Sequence, residues 1–250
     1  MLAVATAGAQ TISNGRTQNP TCNAGSSNTC ATAFAPSGAA LTARNSFLST
    51  LNASVATQTF ESFNDGATPP LNLNFGFAGN ATLTGAGSIE EDNAGRTSVG
   101  RFNTTAGGSK YLAVSADNVG SFQVQFSQRV AAFGFYGTDI GDVGGSLTLN
   151  FFDGASLVGS FIAQPSEGPE GTFIPQLNGN MRFWGVTSAA NTFNRVTFNF
   201  SGAAGNPDVF GFDQLTVADA AQVVIPEPST YALLATGLVG LAVAARRRRA

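Results

Sequence analysis

Ser121-Phe122-Gln123-Val124-Gln125-Phe126-Ser127 alternates polar and large apolar side chains at every step. A period of two puts the apolar set on one face and the polar set on the other, the signature of a strand with one side on a core and one side in water. The same texture returns downstream. Leu147, Leu149 and Phe151 alternate with Thr148 and Asn150, and Val196, Phe198 and Phe200 alternate with Arg195, Thr197, Asn199 and Ser201. Phe212, Leu215 and Val217 close the series. Gly, Asn and Asp separate these runs, and no long amphipathic helix interrupts them, which disfavours a parallel α/β sheet. Residues 59–220 are therefore expected to form an all-β domain, an antiparallel β-sandwich or jelly roll. Phe-Gly-Phe occurs at 75–77, 133–135 and 210–212 with unrelated flanks. It reads as strand in which glycine lets the two sheets approach closely.

The whole chain has 250 residues, enough for one ordinary domain with appendages. Only 11% of them are charged, against 30 glycines and 21 phenylalanines. With so few charges, large aromatics must supply the buried area. Histidine is absent. That excludes a Ser-His-acid triad, a histidine base, a His-ligated zinc and a haem held by His. The net charge is −3, but four of the twelve basic residues are Arg246 to Arg249. Residues 1–225 carry eight basic and fourteen acidic residues, a balance of −6. A body of that sign offers nothing to nucleic acid.

Residues 1–12 contain Met1 to Ala9, MLAVATAGA, whose small apolar run ending Ala7-Gly8-Ala9 reads as the remnant of a secretion signal. Residues 13–58 are rich in Ser, Thr, Asn and Ala and read as low-complexity loop, disordered over 13–38. Within them Leu41, Phe47, Leu48, Leu51 and Val55 recur at helical offsets, which suggests a short helix in 39–55 with Ser46 as a cap. Cys22 and Cys30 close a loop of eight in a polar stretch. Two unpaired thiols would fit the spacing as well, but an oxidising compartment favours a disulfide.

Residues 225–250, IPEPSTYALLATGLVGLAVAARRRRA, place three features in order. Pro226-Glu227-Pro228 comes first, then an uncharged run over 231–245, then Arg246, Arg247, Arg248 and Arg249. As a single short hydrophobic helix the run spans about 22 Å, so a bilayer core of roughly 30 Å is crossed only with help from flanking residues. The arginines would stay cytoplasmic and the body outside. A plain tail anchor shares the last two features. All three together closely resemble the PEP-CTERM sorting signal of bacteria that make exopolysaccharide. That resemblance implies an exosortase as partner, transient residence in the inner membrane, processing near Pro226-Glu227-Pro228, and delivery to the cell surface or extracellular matrix.

Without histidine, a metal site would rest on carboxylates and carbonyls, which selects Ca²⁺ or Mg²⁺. Asp139 and Asp142 lie three apart in a Gly-rich turn, YGTDIGDVGG, that lacks the spacing of an EF-hand loop. Thr59-Phe60-Glu61-Ser62-Phe63 opens the body and Phe210 to Val217 closes it. These two ends resemble the first and last strands of carbohydrate-binding jelly-roll modules, which lie side by side. The resemblance implies a structural Ca²⁺ shared by Glu61 and Asp213; edge acids and turn formers are the plainer account of the same residues. Trp184 and Tyr136, with Tyr111 behind them, are the aromatic candidates for stacking on a sugar, or else core and rim residues. Glu90, Glu91, Glu167 and Glu170 sit in loop-like stretches, with no pair placed across a cleft as a glycosidase needs. The expectation is an exported surface protein with a structural or binding role and no catalysis. The alternative is a carbohydrate-binding module acting on exopolysaccharide.

Overall fold

The computed structural model describes residues 10–20, 22, 30, 35–52, 54–92, 100–115, 121–142, 146–165, 174, 177–188, 190–201 and 209–224. Among them thirteen strands and one α-helix follow in the order β1 (Thr11–Thr17), α1 (Gly38–Ser49), β2 (Ala56–Gln58), β3 (Leu71–Asn74), β4 (Asn80–Gly85), β5 (Ser88–Glu91), β6 (Lys110–Ser115) and β7 (Phe122–Val130). They continue with β8 (Ala132–Thr138), β9 (Ser146–Asp153), β10 (Ser156–Gln164), β11 (Met181–Thr187), β12 (Phe193–Ser201) and β13 (Val209–Ala218). All pairings are antiparallel. One sheet runs β10-β9-β12-β7-β4-β3, and the other runs β1-β11-β8-β13-β6-β5 with β2 also on β13.

The alternating runs turn their phenylalanines inward, and the two sheets meet through them. Phe122 of β7 stacks on Phe198 of β12 at 4.0 Å, and both meet Phe212 of β13 edge-on at 5.2 and 5.5 Å. Phe135 of β8 reaches Phe198 at 5.2 Å, and Trp184 of β11 stacks on Phe151 of β9 at 5.9 Å. Offset and edge-on pairs of this kind add about 0.5–1.5 kcal/mol each beyond the apolar area they bury. Thr59 to Phe63, expected as the first strand of the body, form a turn in which the Phe63 N–H donates to Phe60 O at 3.0 Å; the strand beside β13 is β2 just before them, paired from Gln58↔Leu215 to Ala56↔Val217.

β8 and β11 depart from alternation, for every residue of both strands is buried. Their inward residues face the sandwich, and their outward residues are roofed by α1. Ala40, Ala43 and Phe47 of the helix pack on Tyr136, Met181, Phe183 and Ala132. The register pairs Gly134 with Gly185. A Cβ on Gly134 would lie 3.0 Å from the Phe47 ring, and one on Gly185 would lie 2.7 Å from it. This glycine pair makes the slot that seats Phe47. At 133–135, then, glycine admits a helix from outside; it does not bring the two sheets together as the sequence suggested. Phe75-Gly76-Phe77 is no strand at all. Gly76–Ala78 form a 3₁₀ turn between β3 and β4, where Asn74 Oδ1 accepts the Gly76 N–H at 2.8 Å.

Residues 11–17, expected as loop and as part of a secretion remnant, are an edge strand. β1 pairs with β11 from Thr11↔Thr187 to Thr17↔Met181. An edge strand beneath a helix needs no apolar alternation, so the polar TISNGRT gave no signal. The helix is shorter than its apolar spacing implied, and Ser46, expected to cap a last part of it, lies within one unbroken helix. Its start is held by β1: Ala40 N–H donates to Thr17 Oγ1 at 3.1 Å, and Thr17 Oγ1 donates to Ser37 O at 2.8 Å. Cys22 and Cys30 form a disulfide, against which Gly179 packs so closely that a Cβ there would collide with Cys22 Sγ. Among the described residues no helix is long and apolar enough to cross a membrane. The Pro-Glu-Pro triplet, the run over 231–245, the four arginines, Met1 to Ala9, Glu167 and Glu170 lie outside the described residues.

Candidate functional site

Two of the acidic candidates, Glu61 and Asp213, hold down the loop that covers the outer face of the seven-stranded sheet. Asp213 is buried on β13, in the gap between the stretch paired with β6 and the stretch paired with β2. Gln214 is left-handed there, with φ of 50°. The Asp213 carboxylate accepts four donors: Thr104 N–H and Thr104 Oγ1 at 2.8 Å, Thr105 Oγ1 at 3.0 Å, and Gln214 N–H at 2.6 Å. Burial pushes its carboxyl up to about 7 in spite of them. Glu61 accepts the N–H groups of Ser109 and Lys110 at 3.0–3.1 Å. Glu61 and Asp213 thus grip opposite ends of the 103–110 loop, their oxygens turned to N–H and O–H donors. Burial, with Glu61 and Glu91 nearby, raises the Asp92 carboxyl to about 6 against the N–H of Asn103.

Arg101 Nε donates to Glu90 Oε2 at 2.9 Å, and the Tyr111 hydroxyl donates to the same oxygen at 3.0 Å. Burial, then Glu90, holds the Tyr111 hydroxyl well above its ordinary range. Asp139, at the end of β8, accepts the Gly179 N–H at 2.6 Å. Burial and then Asp142 push its carboxyl well above the usual value, against Gly179 N–H and Arg101. Among the described residues, the non-glycine ones with positive φ are Phe60, Asp139 and Gln214, each at or beside one of these acids. Such backbone costs on the order of 1–3 kcal/mol and persists where its surroundings dictate it. Among the described residues no three acidic or cysteine side chains converge on a metal position.

The aromatic candidates are core residues. Trp184 is 1% exposed and Tyr136 and Tyr111 are fully buried, so none presents a ring face to a sugar. Trp184 and Tyr136 point to opposite sides of one sheet, and both sides are covered, the outer one by α1 and by the 100–110 loop. Burial raises the Tyr136 hydroxyl to about 12.

The open surface is the outer face of the six-stranded sheet. The polar partners in its strands align across it: Asn72, Thr82, Gln125 and Arg195 form one rank, and Thr84, Gln123, Thr197, Asn150 and Ser160 form the next. Amides and hydroxyls dominate, and the one cation in these ranks, Arg195, is spread over the Phe152 ring at 4.2 Å. A groove of about 480 Å³ runs along β3, β4 and β7 between Asn72, Asn74, Asn80, Thr82, Gln125 and Ser127. A smaller one of about 230 Å³ lies beside it at Thr84, Gln123, Thr197 and Asn199. Phe77 stands in the turn that joins β3 to β4 and is 77% exposed. Its carbonyl accepts the Gln128 amide at 2.9 Å, which fixes that turn against β7. The Phe75-Gly76-Phe77 triplet reads as strand from its residues alone, which hides Phe77 as an exposed turn residue. The flanking Asn74, Gly79 and Asn80 were the turn signal that could have found it.

Residues 224–249 match the PEP-CTERM protein-sorting motif, which marks an exported, membrane-processed protein. The match covers the tail and not the sandwich. No curated protein matches the chain. Among solved structures, the chain is similar to the K2 cleaved adhesin domain of Lys-gingipain, at 14% identity over 67% of this chain and 99% of that one, with a TM-score of 0.39. It is similar to the C-terminal family 22 carbohydrate-binding module of Clostridium thermocellum Xyn10B, at 12% identity over 68% and 96%, with a TM-score of 0.35. A Streptococcus pneumoniae fucose-binding module matches at 15% identity over 63% and 99%, with a TM-score of 0.32.

Proposed function

We propose that this protein is carried across the inner membrane, processed by an exosortase near Pro226-Glu227-Pro228, and displayed at the cell surface or in the extracellular matrix. There it binds a neutral polysaccharide, without catalysis, on the outer face of the six-stranded sheet. One observation carries the binding reading: an open, nearly uncharged face of amides and hydroxyls with a groove along it, and an exposed Phe77 in the turn that joins the groove's Asn74 to its Asn80. Neutral sugars offer many hydroxyls and an apolar ring face. Asn and Gln side chains donate and accept on adjacent atoms, which suits the hydroxyls, and Phe77 suits the ring face. Among the described residues this face carries no cluster of cations, which favours neutral over acidic glycans.

Affinity electrophoresis through gels containing neutral polysaccharides tests the binding. The wild-type chain should be retarded, and Phe77→Ala and Gln125→Ala should restore mobility. Wild-type mobility unaffected by every polysaccharide would instead favour a purely structural matrix role. Intact mass and fractionation from the native host test the sorting. A species ending near 226–228 outside the cell is expected, and full-length protein retained in the inner membrane would reduce the tail to an anchor.

A further inference from the structure

Three of the large apolar side chains exposed among the described residues share one rim of the sandwich. They are Ile12 on β1, and Leu157 and Ile162, 57% and 61% exposed, on β10. β1 and β10 are end strands of the two sheets. Between them Gln10 and Val186 line one small gap with Val158 and Phe161.

End strands are ordinarily kept from pairing by shortness, charge or proline. β3 and β5 are four residues long; β3 follows Pro69-Pro70, and β5 carries Glu90 and Glu91. β1 carries Arg16. β10 runs for nine residues, and from Gly154 to Gln164 there is neither charge nor proline. Among the described residues it pairs with β9 alone. The N–H and C=O groups of its other side are a template for one more strand.

The side chains say which strand. Leu157, Ser160 and Ile162 lie opposite Phe152, Asn150 and Thr148 of β9, on the outer face of the sheet. Gly159 and Phe161 lie opposite Phe151 and Leu149, on its inner face. The register shift at Val158 is what lets Leu157 and Ile162, five apart, share a face. The run is therefore self-complementary about Ser160. An antiparallel copy centred there sets each Phe161 opposite the other's Gly159 and brings each Leu157 towards the other's Ile162. A surface that matches itself makes a two-fold contact. Its lack of charge matters, because residues 1–225 carry a balance of −6 and two such bodies repel elsewhere.

We propose that two copies of this chain pair through β10, antiparallel and about a two-fold axis at Ser160, so that their six-stranded sheets become one. The rim is about 30 Å long and, spanning two sheets, about 20 Å wide, so roughly 1,200 Å² is covered over both copies. That area is the lower limit for a stable pair, and a Kd on the order of 10⁻⁵ M is expected. The proposal does not rest on polysaccharide binding, and its test contains no glycan.

Cys22 and Cys30 are bonded to each other, so one introduced cysteine supplies a single reactive thiol. Residues opposite one another across antiparallel strands have Cα atoms about 4.5–5.5 Å apart, within reach of a disulfide. The test is mild oxidation of the full chain above that Kd, as Ser160→Cys and as Asn72→Cys on the opposite rim. Covalent dimer should form about tenfold faster or more in Ser160→Cys. Adding Ile162→Lys, a charge on an exposed side chain, should slow it at least roughly fivefold. Equal rates in the two cysteine variants, as clustering through the tail would give, or no slowing by Ile162→Lys, overturns the proposal. Should Ser160→Cys not fold, sedimentation of the wild type against Ile162→Lys decides. A mass that rises towards the dimer with concentration in the wild type alone supports the pairing, and the same mass in both overturns it.

Discussion

The slot formed by Gly134 and Gly185 lends itself to a quantitative test of how α1 is held. Phe47 is 1% exposed and meets Phe183 at 5.6 Å. Phe47→Ala should therefore destabilise the protein by about 3–5 kcal/mol. In Gly185→Ala the added methyl would sit 2.7 Å from Phe47 Cδ2 and 3.0 Å from Phe183 Cε1. Overpacking costs about 1–3 kcal/mol, partly offset by the 0.4–1 kcal/mol or so gained when glycine's freedom in the unfolded chain is reduced. A net loss of roughly 0.5–2 kcal/mol follows. Once the Phe47 ring is gone, the same methyl has room on that side and fills part of the cavity. The double variant should then be less destabilised than the two singles together, with a coupling energy of about 1–2 kcal/mol. Urea unfolding of the full chain, followed through Trp184 fluorescence, measures all three variants. Additivity to within about 0.5 kcal/mol would refute the slot, because residues that do not touch add to that accuracy.

Three further outcomes are expected. Phe77→Ala should weaken polysaccharide binding about five- to tenfold, the worth of one stacked ring, yet change stability by no more than about 0.5 kcal/mol because the side chain is exposed. Equal losses in both would make Phe77 a packing residue. Asp213 and Asp92 hold their protons to about pH 7 and 6, against 3.8 ordinarily. The native state therefore binds more protons in that window, so the stability these groups contribute is complete below about pH 4 and is lost as pH rises to 7. The melting-temperature advantage of wild type over Asp213→Asn should shrink between pH 4 and 8, and a constant difference would deny the shift. Reduction of Cys22–Cys30 releases a loop of eight residues, worth about 2.5 kcal/mol by chain entropy and so about 5–10 °C in melting temperature. No change on reduction would mean that the packing against Gly179 survives without the bond.

Half of this architecture could be read directly from the residues, and the division follows from which faces are wet. β7, β9 and β12 belong to the sheet with an open outer face, so Gln123, Thr148 and Thr197 stayed polar and the alternation was plain. β8 and β11 are covered on both sides, and alternation cannot announce a roof that comes from residues 38–49. For that reason Trp184 and Tyr136 passed as sugar platforms when they are two sides of a double core. β1 was invisible because hydrogen bonding to β11 and cover from α1, not its own apolar residues, keep it in place. Glu61 and Asp213 stand out in the sequence as acids, but what they hold is loop 103–110, whose Thr104, Thr105 and Ser109 are remote from them in the chain. Polar positions on the open face were noted one strand at a time; only the register showed that they form ranks.

The exit of the chain from the sandwich is clasped. Leu51 bridges Val223, Asn52 N–H donates to Gln222 O, and Val224 N–H donates to Thr50 O, both at 2.8 Å. The sorting motif begins at residue 224, so there is no slack between the address and the folded body. Any pull on the tail passes through this clasp into β13, an interior strand flanked by β8 on one side and by β6 and β2 on the other. Tension along such a strand shears its ladders, so that many hydrogen bonds resist together and do not open one after another.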